Sequence, residues 1–210
     1  MVLPSNEEAI LLKSAPKPRT RRSRIGGFST VELAVSMTVL LILTAIAIPT
    51  LMRSFRTYQL NDAAARLSDM LKFTRFEAVR RNKQINFLTQ ASGAGWLVGT
   101  DLDGSGTIDA TEKQQLISGV VTLLPAGAPP NASSILAKLG ATSGLDASKS
   151  GAAGSITFDA RGAVSGLAAY VFYVGSATNP EFGYRAVILL PSGATQIWTA
   201  PSGGPWQRVG

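Results

Sequence analysis

The sequence predicts an α+β chain in which one long N-terminal helix is followed by an antiparallel β-sheet. Three observations carry this reading. Phe28 to Met52 is a 25-residue apolar run whose single charge is Glu32. Residues 53–82 contain neither Gly nor Pro and repeat apolar side chains at helical spacing. After Asn82 the chain breaks into short strand-like pieces separated by Gly, Ser and Pro. A helix followed by a run of strands is the α+β pattern, with the apolar face of the helix buried against the sheet.

The first 27 residues form a basic tail. Lys13, Lys17, Arg19, Arg21, Arg22 and Arg24 stand against Glu7 and Glu8, a net of +4 out of a chain total of +7. With Pro16 and Pro18 among these charges, the tail is expected to be disordered. Charge alone would let TRRSR meet a nucleic acid, but a topology signal explains its position beside an apolar run better.

Residues 28–52 follow. At 1.5 Å per residue this run can cross the ~30 Å hydrocarbon core of a bilayer as a helix. The preceding Lys and Arg place the N-terminus in the cytoplasm and everything after Met52 on the far side. The run is too long for an ordinary secretory signal, and no small-residue cleavage motif follows it directly. Within lipid, the Glu32 carboxylate costs several kcal/mol unless it finds a partner. Pro49 lacks a backbone N–H and is expected to bend or locally loosen the helix.

Residues 53–82 then read as an amphipathic helix continuous with the span. Leu60, Ala64, Leu67, Leu71, Thr74 and Ala78 form its stripe, and Tyr58, Met70 and Val79 are expected to widen it. Arg56, Arg66, Arg75, Asp62 and Asp69 supply polar faces. The stripe is expected to pack on a sheet, giving one helix of about fifty residues bent near Pro49.

The expected strands are Gln84–Thr89, Gly95–Thr100, Gln115–Leu123, Ser155–Phe158, Ala168–Val174, Arg185–Leu190 and Thr195–Thr199, from their alternation and β-branched or aromatic content. The section 126–154, rich in Gly, Ala, Ser and Pro, reads as a long loop with a helical turn at Ser133–Leu139.

Residue types narrow the chemistry. The chain has no Cys and no His, which excludes Ser-His-Asp and Cys-His catalysis, His-metal and thiolate sites, and disulfides. A carboxylate pair such as Asp159 with Glu181 has no spacing that recommends it as a hydrolase. One acidic stretch does carry a pattern. Residues 101–112, DLDGSGTIDATE, fit the twelve-residue calcium loop of an EF-hand position by position. Asp101, Asp103 and Ser105 would be oxygen ligands, Thr107 a carbonyl donor, Asp109 a ligand directly or through water, and Glu112 a bidentate ligand. Gly106 would supply the sharp turn. Four carboxylates in twelve residues repel one another unless a cation screens them. Against this, the preceding GWLVGT reads as a strand where an EF-hand has a helix, so a solvated turn stands as the alternative to a Ca²⁺ site.

The block Arg24-Ile25-Gly26-Gly27-Phe28-Ser29-Thr30-Val31-Glu32 resembles the cleavage site of a type IV prepilin. The resemblance implies that a membrane-embedded prepilin peptidase cuts between Gly27 and Phe28 from the cytoplasmic side and that Phe28 is then N-methylated. It makes Glu32 the fifth mature residue, the acidic group such proteins use in assembly, and Pro49 the kinking proline. The free α-amine of Phe28 on a neighbouring subunit would be the partner the Glu32 carboxylate needs.

The stretches TRFEAVRRNKQINF, GWLVGTD, ITFDARGAV and VILLPSGATQIW further resemble the minor pseudopilin branch GspH/FimT. The implied organisation is a cleaved leader at 1–27, a transmembrane helix with the methylation motif at 28–52, an amphipathic helix at 53–82 and a periplasmic β-rich domain at 83–210. The implied protein is not an enzyme but a structural subunit of a type II secretion pseudopilus or a type IV pilus. It would sit in the bacterial inner membrane as a single-pass protein and enter the filament on assembly. Its partners would be the prepilin peptidase, other pilins or pseudopilins and the inner-membrane assembly platform. Two alternatives keep the anchor but change the role: a DNA-binding minor pilin, or a membrane-anchored calcium-binding adhesin. Some FimT-type proteins bind DNA through C-terminal basic residues. Here that region offers Arg185 and Arg208 and little else, which makes no strong case for nucleic acid. No cofactor other than Ca²⁺ is implied.

Overall fold

The structure, a computed structural model, describes residues 27–93, 95–125, 128–129, 133–139, 145–146 and 154–209. The expectations for the leader up to residue 26, and for most of 126–153, lie outside the described residues. The chain divides into two compact units, Met1–Ile46 and Ala47–Gly210.

Helix α1 runs over Thr30–Arg81, 52 residues, and its helical assignment passes through Pro49 without a break. Ser29 starts it, its Oγ accepting from the Val31 N–H at 3.3 Å, an N-cap interaction. In the first unit every described residue is exposed, including Phe28, Val31, Leu41 and Ile46. Polar side chains there hide their hydroxyls in the helix itself: Thr38 donates to the Ala34 carbonyl at 2.9 Å and Thr44 to Leu40 at 2.7 Å. That satisfies each hydroxyl within the helix itself.

In the second unit the helix turns amphipathic. Leu60, Ala64, Leu67, Leu71, Thr74 and Ala78 are all fully buried. Met70 widens the stripe as expected, whereas Tyr58 and Val79 are exposed, because 3.6-residue periodicity carries Tyr58 onto the outer face and leaves Val79 at the stripe's edge. The helix closes on Asn82, whose φ of +50° is the left-handed cap conformation. The Asn82 N–H donates to the Val79 carbonyl and the Lys83 N–H to Ala78, both at 3.2 Å. This pair of bonds is a Schellman motif.

The strands are β1 (Ile85–Ser92), β2 (Gly95–Asp101), β3 (Gln114–Ile117), β4 (Thr122–Leu124), β5 (Leu145–Asp146), β6 (Gly154–Phe158), β7 (Ala169–Gly175), β8 (Tyr184–Leu189), β9 (Thr195–Ala200) and β10 (Gln207–Arg208). A short helix α2 covers Ser133–Lys138, where the sequence indicated a helical turn. Two sheets form rather than one. The first has the order β3-β2-β1-β6, the second β10-β9-β8-β7-β4, with β5 added parallel to β7. The piece expected as a single strand over Gln115–Leu123 is divided between the two sheets. Gly119, at φ +102°, makes the turn between β3 and β4, a conformation that suits glycine.

Helix α1 packs across both sheets. Its stripe meets Phe87 of β1, Val98 of β2, Ile156 of β6, Phe172 of β7 and Val187 of β8 in one core. Phe87 and Phe172 join the sheets edge to face, with ring centroids 5.7 Å apart. The alternation of β7 and β8 sends Val171, Tyr173, Ala186 and Ile188 to the opposite face. There Ile135 of α2 and the fully buried Trp206 cover them.

Candidate functional site

Two groups of residues are candidates for function, and each lies within one unit. The first is the start of α1. Gly27 and Phe28 are exposed ahead of the first helical turn, and a Cβ built on Gly27 would meet nothing within 4 Å. Space around Gly27 therefore does not demand glycine in the folded chain. Glu32 lies in the first turn, where the helix dipole favours a negative charge. From Phe28 to Met52 it is the only charge on an apolar surface. By length and composition α1 can cross a membrane; its most apolar 18-residue window has a mean hydropathy of 2.4 and none of it is buried.

The second candidate is the acidic loop joining β2 to β3. It is a hairpin connection between antiparallel strands, not a loop between two helices, as the strand-like GWLVGT indicated. Asp101 is buried at the end of β2. Its Oδ1 accepts from the N–H groups of Gly104 and Ser105 at 2.6 and 3.1 Å, and its Oδ2 from Gly106 N–H at 3.1 Å. From the sheet side, Asn86 donates to the same Oδ2 at 3.2 Å while accepting from the Thr157 hydroxyl at 2.7 Å. A chain of hydrogen bonds across β6, β1 and β2 thus fixes the carboxylate. Glu112 closes the far end, its Oε1 accepting from Leu102 N–H and its Oε2 from Asp109 N–H.

Oxygens of Asp101, Asp103 and Glu112 lie within 4.8 Å of one another. Asp109 falls outside that group. Ser105 and Thr107 bond to each other, the Ser105 hydroxyl donating to the Thr107 carbonyl at 3.2 Å. Of the four carboxylates among the expected ligands, three therefore converge. Gly106 has φ +77°, the sharp turn the pattern requires. The Ser105 backbone N–H, and then its hydroxyl, hold the Asp103 carboxyl below the ordinary carboxylate range. Ile108 folds the loop back onto β2, where a Cβ on Gly99 would come within 2.7 Å of Ile108 Cγ2.

Asp159 and Glu181 serve separate turns. Asp159 accepts from the Arg161 and Ala163 N–H groups, and Glu181 from the Asn179 amide. Sequence reasoning missed Glu77, a buried carboxylate in the apolar stripe. It accepts from Arg80 at 2.6 Å and Arg81 at 3.0 Å, and Arg residues three and four positions on were the available signal.

The profile of the family described as Type II transport protein GspH matches residues 63–193, from the buried half of α1 to the turn after β8. The chain belongs to the GspH family. It is accordingly a type IV pilin-like protein, from a family of structural pilins and pseudopilins. No curated protein shows significant similarity to it. Among solved structures it is similar to the type IV minor pilin FimU of Pseudomonas aeruginosa strain PAO1 in two crystal forms. One has 19% identity and a TM-score of 0.46 over 69% of this chain and 90% of that one. The other has 20% identity and a TM-score of 0.45 over 68% and 94%.

Proposed function

We propose that this GspH-family chain is a minor pseudopilin or pilin, made as a precursor, cut between Gly27 and Phe28 and methylated on Phe28. Residues 28–52 would then anchor it in the bacterial inner membrane, with the domain from 83 onward on the periplasmic side. Assembly with other pilins or pseudopilins on the membrane platform proceeds through the same helix. One observation carries the reading: α1 is fully exposed and apolar over its first half, with Glu32 as the lone charge next to Gly27-Phe28. So large an apolar surface needs lipid or neighbouring helices. An isolated carboxylate there needs a cation, which the new α-amine of a neighbouring Phe28 supplies after cleavage. A bend at Pro49 would let the two parts of the helix meet different neighbours.

Coexpression with a prepilin peptidase tests it. Gly27→Trp should leave the precursor uncut, and Glu32→Ala should be cut but enter filaments poorly. Efficient cutting of the Gly27 variant at the same bond would remove the assigned site.

The acidic loop supports a second proposal, that Asp101, Asp103 and Glu112 hold a Ca²⁺ ion outside an EF-hand pair. Its support is the convergence of their oxygens on one point. Calcium should raise the melting temperature of the full chain in detergent, and Asp103→Asn should weaken that rise. Identical melting in calcium and in chelator would end the proposal.

A further inference from the structure

The turns of α1 just beyond the apolar run carry cations and aromatics that the assembly reading does not use. Arg53 and Arg56 follow Met52 by one and four residues, about 1.5 and 6 Å of helical rise. That depth falls within the headgroup layer, which adds roughly 5–7 Å to each side of a ~30 Å hydrocarbon core. Phe55 and Tyr58 beside them are 54% and 67% exposed. The β-domain adds Phe182, whose ring lies 5.7 Å below the Arg56 guanidinium. Arg56 also donates to the Gln59 side chain at 2.9 Å, so its guanidinium is held by two contacts and both are uncharged.

The other pairings on the helix sharpen the contrast. Arg66 is paired with Asp62, and Arg80 and Arg81 with Glu77. Among the described residues, Arg53 and Arg56 have no carboxylate within ion-pair distance, and no acidic residue occurs between Glu32 and Asp62. At the same end of the domain lies Arg185, 8% exposed, bonded to the Asn61 side chain and the Tyr184 carbonyl and likewise without a carboxylate partner among the described residues. It contributes positive potential rather than direct contact. Arg53 and Arg56, two cations without acids beside the exposed Phe55 ring at headgroup depth, match an anionic interface, with Tyr58 about 9 Å past Met52 at its outer edge: rings favour the headgroup level and guanidinium favours phosphate.

We infer that Arg53 and Arg56, with Phe55, Tyr58 and Phe182 around them, seat the phosphate of an anionic phospholipid on the domain's side of the membrane. The inference rests on residues 28–52 being a membrane span. Such a seat would fix the height and rotation of the unassembled subunit, and the lipid would be released when neighbouring helices pack around α1.

Native mass spectrometry of the full chain extracted in detergent tests this, with phosphatidylglycerol, phosphatidylcholine or glycerol phosphate added. The wild-type chain should retain phosphatidylglycerol over phosphatidylcholine, and glycerol phosphate should not compete. Arg53→Gln with Arg56→Gln should lower that preference about thirtyfold. Arg53 is exposed and Arg56 only partly buried, so the double variant should still fold, its melting temperature falling by no more than loss of the Arg56 contacts to Phe182 and Gln59 explains. Equal retention of the two lipids, or an unaltered preference in the double variant, overturns the proposal. Unaltered lipid retention with lost cross-linking to a coexpressed pilin would give the seat to a subunit carboxylate and overturn it as well. Recovery of the chain without detergent would instead defeat the membrane-span reading, so the two failures are distinct.

Discussion

The fold alters the ionisation of Tyr173. Burial among Trp206, Ile135 and the outer face of the second sheet pushes its phenol up to about 12. The folded state therefore holds this proton more tightly than the unfolded chain, whose tyrosines titrate near 10. Stability from that difference is complete below about pH 10 and is lost as pH rises towards 12. Thermal melts between pH 8 and 12 should show this alkaline decline, and Tyr173→Phe should flatten it. Glu77 works in the opposite direction. The Arg80 hydrogen bond is the largest influence and, with Arg81, outweighs burial to hold this carboxyl below its ordinary value. Its stabilisation is present above about pH 4.5 and disappears as the solution becomes more acidic. Glu77→Gln should reduce the acid sensitivity of melting, whereas an unchanged acid limb would deny the ion pair a role. Neither residue announced itself in the sequence. Tyr173 alternates like any strand residue, and a Glu in an apolar stripe resembles a break in the pattern until its two arginines are placed.

The long helix was the most legible element. Its stripe from Leu60 to Ala78 follows one periodicity, and burial follows that stripe. Leu67→Ala, at a position with no exposure, should cost about 2–5 kcal/mol in chemical denaturation of the full chain. Asn82→Val should cost roughly 1–2 kcal/mol, because a β-branched residue resists the left-handed cap that closes α1. The strands were legible where β-branched and aromatic residues gathered between turn residues, as in Tyr184–Leu189 and Thr195–Ala200. The break between β3 and β4 was not, since apolar residues on both sides of Ser118-Gly119 read as one run. Division into two sheets was also hidden, because it depends on pairings such as Leu123 with Val174, far apart in sequence. Two-residue strands such as Gln207–Arg208 lack a period to read. The acidic loop was legible in position and turn chemistry. That Ser105 and Thr107 bond to each other, and that Asp109 stands apart, depends on side-chain directions no spacing rule supplies.

At the scale of the molecule, the chain joins two kinds of surface with opposite needs. The β-domain buries its apolar residues in two cores, on either side of its second sheet. Residues 28–52 bury none of theirs. A soluble protein would not keep such a surface bare, and a simple anchor would not need Glu32 within it. Membership of the GspH family and this exposed helix together point to a subunit whose remaining partners are lipid and other subunits. Processing at Gly27-Phe28 separates a filament subunit from a simple anchor, and the intact mass of the membrane-extracted chain from cells with an active prepilin peptidase reads it out. One mature species beginning at N-methylated Phe28 is expected. A full-length chain, in cells where a control pilin is cut, would contradict it.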